Sequence, residues 1–329
     1  MRQTVSLEEI YAPIEDQIAG IPKAILSILS TPNELAREAI GHFFSASGKY
    51  LRPALTFFGA GIENGRAREE KLVRLGAAFE IFHSATLIHD DIIDSAHLRR
   101  NIPTLNAKWS PQVAVLVGDY LHDKAIGAIF SVEAPRVTGL FLETAGTVCD
   151  GEIHEWREKN NFNLKEEEYL EIVRKKTASL TACSIEAGGI LSGLPAEKTG
   201  ALKRFGEAFG MAFQIIDDCL DFTGEEHEFG KTLGIDFEGG VLTLPLIRLL
   251  ELVDERTQSE MFKIFKSDFG FAQFEILKNR LQEFGALDYA MARALEFTER
   301  ARLELSIFRD SSVKSSLNQL LDYVLGRNR

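Results

Sequence analysis

Ala85-Thr86-Leu87-Ile88-His89-Asp90-Asp91-Ile92-Ile93-Asp94 sets three carboxylates into an otherwise apolar run. Upstream, Ala77, Ala78, Phe79, Ile81 and Phe82 continue the apolar character, and neither proline nor glycine occurs between residues 77 and 102. A breaker-free stretch of this length predicts a helix, because strands seldom exceed about ten residues. On that helix Asp90 and Asp94 share a face one turn apart, and Asp91 is rotated from them by about 100°. A helix that is apolar on most sides is buried. Like charges there repel: at about 4 Å and an effective dielectric of about 20, each pair costs about 4 kcal/mol. The pattern calls for a cation.

The same spacing returns in Phe213-Gln214-Ile215-Ile216-Asp217-Asp218-Cys219-Leu220-Asp221, more than a hundred residues later. One such motif could be a solvated acidic turn; two, each in an apolar helix, are hard to explain that way, since aspartate is seldom buried without a partner. All-oxygen ligands suit Mg²⁺ or Mn²⁺ rather than zinc. Mg²⁺ takes few protein carboxylates and fills its shell with water and substrate phosphate, so paired clusters imply a polyphosphorylated ligand between them.

Working outward, residues 152–187 also lack both breakers, and Phe274, Ile276, Leu277, Leu281 and Phe284 recur at helical spacing. No run alternates with period two. The fold class is therefore all-α, with about a dozen helices. No linker or repeat divides the chain, and a single domain over residues 1–329 is expected; the glycine-rich stretch 224–240 reads as a long functional loop. The 329 residues carry 37 Lys and Arg against 49 Asp and Glu, a net charge of −12, which disfavours binding of nucleic acid. Cys149, Cys183 and Cys219 are far apart, which excludes a disulfide scaffold and fits a reducing cytoplasm. The acidic first twenty residues do not read as a secretory signal, and no apolar run of about 18 residues predicts a membrane span. A soluble cytoplasmic protein is expected, with at most peripheral membrane contact.

Cationic groups accompany the acidic clusters. Arg99 and Arg100 follow Asp94 on what reads as the same helix, and Lys49 and Arg52 in Gly48-Lys49-Tyr50-Leu51-Arg52-Pro53 read as one turn apart at a helix start. Paired cations at such a terminus suit a diphosphate. Lys175, Lys176 and Thr177 add a further cationic point with a hydroxyl, and Lys231 lies in the glycine-rich stretch.

These blocks, with Val117-Gly118-Asp119-Tyr120-Leu121 and the stretch from Gly230 to Pro245, resemble the trans-isoprenyl diphosphate synthases, the polyprenyl synthetase family, and most of all its long-chain members. The resemblance implies a helical bundle around a deep central cavity, usually a homodimer, that joins isopentenyl diphosphate head-to-tail to an allylic diphosphate primer. It implies that Asp90, Asp91, Asp94, Asp217, Asp218 and Asp221 bind Mg²⁺. Arg99, Lys176, Thr177, Gln214 and Lys231 would contact the allylic diphosphate. Lys49, Arg52, His83 and Arg100 would hold isopentenyl diphosphate, with Gly48 allowing close backbone approach.

Three positions depart from the family's pattern: Val241 stands where a lysine is usual, Asn101 where a glycine follows the arginine pair, and Glu155 where a glutamine is usual. A terpene cyclase would pair one DDxxD with a different metal motif, and a non-catalytic subunit of a heteromeric synthase would have lost a cluster. A helical interaction protein would need no buried carboxylates. Ala85 and Thr86, the small residues one turn before Asp90, leave room for a growing tail and imply a product longer than geranylgeranyl diphosphate, with Phe82 as a candidate floor. A short-chain farnesyl or geranylgeranyl diphosphate synthase is the competing reading.

Overall fold

The computed structural model describes residues 5–46, 48–63, 67–223, 237, 239–265 and 271–326. The chain begins with α1 (Leu7–Tyr11), α2 (Glu15–Ile28), α3 (Glu34–Phe43), α4 (Leu51–Gly61) and α5 (Glu69–Ile93). A hairpin, β1 (Leu98–Arg99) with β2 (Ile102–Pro103), precedes α6 (Leu105–Lys108), α7 (Pro111–Ser131) and α8 (Pro135–Glu158). Then come α9 (Glu166–Val173), a π-helical turn (Arg174–Ala178), α10 (Ser179–Leu191) and α11 (Ala196–Thr223). The described part closes with α12 (Leu244–Leu252), α13 (Glu255–Phe265), α14 (Phe271–Glu283), α15 (Ala286–Glu304) and α16 (Ser312–Gly326). The all-α reading holds: the hairpin is the only β structure among the described residues.

Helix starts follow local chemistry. The Ser110 hydroxyl accepts from the Val113 amide with Pro111 at the first position of α7, and Asn33 and Thr104 cap α3 and α6 in the same way. Helix α5 is the central element. Its middle, from Leu75 to Phe82, is buried throughout, and it packs on α7, α4 and α2. Helices α4, α10 and α11 form the adjoining layer, with α15 on the far side of α11. One connected hydrophobic cluster runs through these helices from Ile10 to Val324.

Three local expectations need correction. Helix α5 stops at Ile93, not near residue 102, because Ser95 turns left-handed (φ 52°) and the Ala96 amide donates back to the Asp91 carbonyl. Arg99 and Arg100 therefore sit on the hairpin rather than on the helix of Asp94. Its turn, Arg100-Asn101, has φ of 50° and 64°, the left-handed pair that a two-residue hairpin requires. Asparagine tolerates that conformation, which explains why it can replace glycine at 101. Lys49 likewise precedes a left-handed Tyr50 (φ 49°), so it lies outside α4 and is not one helical turn from Arg52. Residues 152–187 are broken at 159–165, where Asn160 is left-handed (φ 63°).

Helix α8 approaches the π-turn so closely that a Cβ on Gly151 would stand 2.7 Å from the Lys176 amide nitrogen and 3.0 Å from its Cα. Backbone cannot yield as a side-chain tip can. Gly151→Ala should therefore cost about 1–3 kcal/mol by overpacking. A lower urea midpoint with an unchanged slope is expected; an unaltered midpoint would mean that the two segments are not in this contact.

Candidate active site

The π-turn decides where the cations point. A wider turn at 174–178 rotates α10 relative to α9, and such turns recur at functional sites. Lys176 is carried toward α5 and α8, and Thr177 toward α11. The Lys176 ammonium donates to Glu155 Oε2 at 2.6 Å and lies 2.9 Å from Glu152 Oε2, both one turn apart on α8. Burial opposes the Lys176 charge, but Glu155, Asp90 and Glu152 outweigh it and hold its pKa well above the ordinary lysine value. The same neighbourhood acts on the carboxylates. Burial raises Asp90 to about 6 against the pull of Lys176, and raises Glu152 to about 7. Glu155, the departure from the family's glutamine, thus has a physical role: it is a second carboxylate holding Lys176.

The three residues of the first cluster separate by environment. Asp91 is buried, and the Arg99 Nε donates to both of its oxygens at 2.9 Å, with Nη2 2.8 Å from Oδ1. Asp94 caps α5, is exposed, and receives the Lys159 ammonium at 3.1 Å from the end of α8. The second cluster repeats this division. Asp218 is buried and accepts from the Tyr169 hydroxyl at 2.6 Å and the Gln214 amide at 2.8 Å. Thr177 in turn donates to Gln214 Oε1 at 2.9 Å, which ties the π-turn to α11. Asp217 and Asp221 are partly exposed.

A third group surrounds Arg52. Burial lowers the Arg52 pKa, while Glu80 and Asp217 support its charge. His83 is pushed well below its ordinary value by burial and by Arg52, Arg99 and Arg100, so the imidazole is neutral. Glu80 is 6% exposed and raised by burial against the attraction of Arg52 and Arg100. A Cβ on Gly48 would lie 3.2 Å from both terminal nitrogens of Arg100 and 3.3 Å from Glu80 Oε1. The Arg100 guanidinium also donates to the Ala46 carbonyl. Arg52 Nε and Glu80 Oε2 are buried without hydrogen-bond partners among the described residues. Lys49 points elsewhere, donating to the Tyr323 hydroxyl at 3.3 Å, while its carbonyl accepts from the Tyr11 hydroxyl at 3.0 Å.

The structure thus joins most of the residues singled out in the sequence. Arg99 pairs with Asp91 and its charge acts on His83, the charge of Asp217 acts on Arg52, and Lys176-Thr177 lies between the two aspartate clusters. Lys231 lies outside the described residues. Sequence reasoning missed Glu80, Lys159 and Tyr169. Glu80 had a signal, as the lone charge in the apolar run 77–82; the other two come from distant helices and had none.

Among the described residues no three His, Cys, Asp or Glu side chains close into a ready metal cage. An ion that keeps its own waters needs no such cage. Asp90 and Asp94 each face an ammonium, so cations already sit where a divalent ion would bind. Their hard oxygen donors fit such an ion.

Residues 33–278 match the polyprenyl synthetase family. The chain is 34% identical to the all-trans-nonaprenyl-diphosphate synthase (geranyl-diphosphate specific) of Rhodobacter capsulatus, over 97% of this chain and 98% of that one. It is 32% identical to a short chain isoprenyl diphosphate synthase of Methanothermobacter thermautotrophicus, over 99% of each. Among solved structures, the polyprenyl synthase of Caulobacter crescentus CB15 complexed with calcium and isoprenyl diphosphate superposes with a TM-score of 0.94 at 28% identity, covering 100% of both chains.

The raised Asp90 carboxyl makes a signed prediction for the metal-free chain. Between its unfolded value near 3.8 and about 6, the folded state binds more protons, so Asp90 reduces stability progressively as pH rises through that window. Asparagine cannot ionise. Asp90→Asn should therefore be more stable than the parent at pH 7.5, by on the order of 2 kcal/mol, with the gap closing toward pH 4. Parallel melting-temperature profiles for the two proteins would contradict the assigned burial.

Proposed function

The chain belongs to the polyprenyl synthetase family, and we propose that it is a Mg²⁺-dependent prenyltransferase that adds isopentenyl diphosphate repeatedly to an allylic diphosphate and releases a long-chain all-trans polyprenyl diphosphate. The observation that carries this reading is the continuity of the two aspartate clusters, through Lys176-Thr177 and Arg52, with a buried arginine group that has unsatisfied polar atoms.

Asp90, Asp94, Asp217 and Asp221 offer the carboxylates on the shared face of each metal cluster; Asp91 and Asp218 complete them from within, held by Arg99 and by Tyr169 with Gln214. Bound Mg²⁺, or Mn²⁺, supplies charge stabilisation for diphosphate. Lys176, Thr177, Gln214, Lys231 and Arg99 hold the allylic diphosphate. Arg52, Arg100, His83 and the Gly48 backbone take isopentenyl diphosphate, where Arg52 Nε finds its missing acceptor, and Lys49 joins them only by leaving the Tyr323 hydroxyl. The allylic C–O bond breaks heterolytically and diphosphate leaves with the electron pair. The isopentenyl double bond attacks the resulting carbocation, and the released diphosphate accepts the proton lost from the adduct. The neutral His83 and the cations around the diphosphates stabilise charge without offering a competing nucleophile.

The active unit is a single domain over residues 1–329, acting in the cytoplasm as a homodimer. Leu116, Phe130, Leu142, Ile153 and Trp156 support that assembly: they leave large apolar side chains exposed along α7 and α8. No helix among the described residues is long and apolar enough to cross a membrane.

Chain length follows from α5. Ala85 is buried, and the Thr86 hydroxyl donates to the His83 carbonyl, so neither projects bulk one turn before Asp90. Phe82, fully buried, meets Phe141 at 5.1 Å and His122 at 5.3 Å between ring centroids, which makes a rigid aromatic floor. Purified protein given radiolabelled isopentenyl diphosphate in excess, an allylic primer and Mg²⁺ should yield products beyond geranylgeranyl diphosphate. Ala85→Phe should shorten them while sparing the first condensation. Parent enzyme that stops at farnesyl or geranylgeranyl diphosphate refutes the long-chain reading, and no condensation at all refutes the activity.

A further inference from the structure

We propose that Lys159 is a further diphosphate-binding residue of this chain, an inference that rests on the prenyltransferase reading. Lys159 ends α8, and its side chain is 13% exposed, most of its surface removed from water. In return it makes one hydrogen bond among the described residues, to Asp94 Oδ1 at 3.1 Å, and lies 4.7 Å from the centre of the Trp156 indole. An ammonium carries three donors. Two remain for an acceptor on the side of Asp94.

The placement is fixed rather than incidental. Asn160 is left-handed, and its amide donates to the Gly240 carbonyl at 2.8 Å. Gly240 has φ 85°, and a Cβ there would meet the Asn160 side chain at 3.0 Å, so the chain entering α12 is pressed onto this corner. Val241 follows directly and is apolar. The corner therefore brings a cation to the rim of the first cluster from α8, next to a segment whose own residue at 241 supplies none.

Occupancy of Asp94 by a divalent ion would repel the ammonium from its carboxylate. A lysine whose side chain is already mostly buried then takes the nearest multivalent anion, and a diphosphate bound at the cluster is that anion. Asp94 thus serves as the resting partner of Lys159, and diphosphate as its working one.

The test uses full-length protein, Mg²⁺ and inorganic diphosphate, measured by titration calorimetry without an allylic group, so that no turnover occurs. Lys159→Met should weaken diphosphate binding by roughly tenfold to a hundredfold. Lys159→Arg should recover most of the loss, and so should Val241→Lys in the Lys159→Met background. Mn²⁺ alone should bind Lys159→Met at least as tightly as the parent, since a competitor for Asp94 is gone. If Lys159→Met and Lys159→Gln keep parental diphosphate affinity and only melt earlier, Lys159 is a structural ion pair and the proposal falls. Parent protein that binds no Mg²⁺-diphosphate overturns the prenyltransferase reading itself, a result separable from a failure of Lys159 alone.

Discussion

The Lys176 ammonium between Glu152 and Glu155, within reach of Asp90, is the interaction on which the rest of the site depends. Burying a carboxylate without a partner costs several kcal/mol, and burying several together costs more. Helices α5 and α8 bring three of them to one place. Without a cation on the π-turn, Asp90 and Glu152 could stay buried only as neutral acids. The backbone contact at Gly151 lets one lysine serve all three. The hydrophobic core holds the helices together, and the missing side chain at Gly151 lets α8 and the π-turn approach closely enough for this ion cluster to form.

The two aspartate clusters share a division of labour. In each, the middle carboxylate turns inward and is consumed by structure, by Arg99 in one case and by Tyr169 with Gln214 in the other. The outer carboxylates are less enclosed, Asp94 exposed and Asp90, Asp217 and Asp221 partly so. This arrangement follows from helix geometry, since i and i+4 share a face and i+1 does not. It also keeps local repulsion tolerable, because the inward carboxylate is held within the protein, by a guanidinium at Asp91 and by neutral hydrogen-bond donors at Asp218.

Much of this was legible in the sequence, for identifiable reasons. Asp90 and Asp94, and Asp217 and Asp221, declare themselves because charge in an apolar helix is rare and their spacing is a helical one. The all-α class followed from long breaker-free runs. What failed was the helix boundaries: Ser95, Asn160 and Tyr50 turn left-handed although none is glycine, so Arg99 and Arg100 lie beyond a helix that has ended, Lys49 before one that has not begun, and residues 152–187 are split. Glu80 stood in plain view in an apolar run, but its partners Arg52 and Arg100 come from other elements. Lys159 and Tyr169 carry no local signal. The aspartates they bond, Asp94 and Asp218, are tens of residues away, and only tertiary packing assigns them.

The π-turn has a consequence for how the protein tolerates change in length. Residues 166–191 form a nearly continuous helical rod in which one extra residue has been absorbed at 174–178. Removing a residue there would restore an ordinary helix, with better hydrogen-bond geometry and no loss of apolar content. It would also rotate everything upstream by about 100° relative to α10. Lys176 and Thr177 could then no longer face Glu155 and Gln214 at once. The segment is thus constrained in phase rather than in composition: conservative substitutions leave the rod in register, while a one-residue deletion that suits the helix would unlink the two halves of the site.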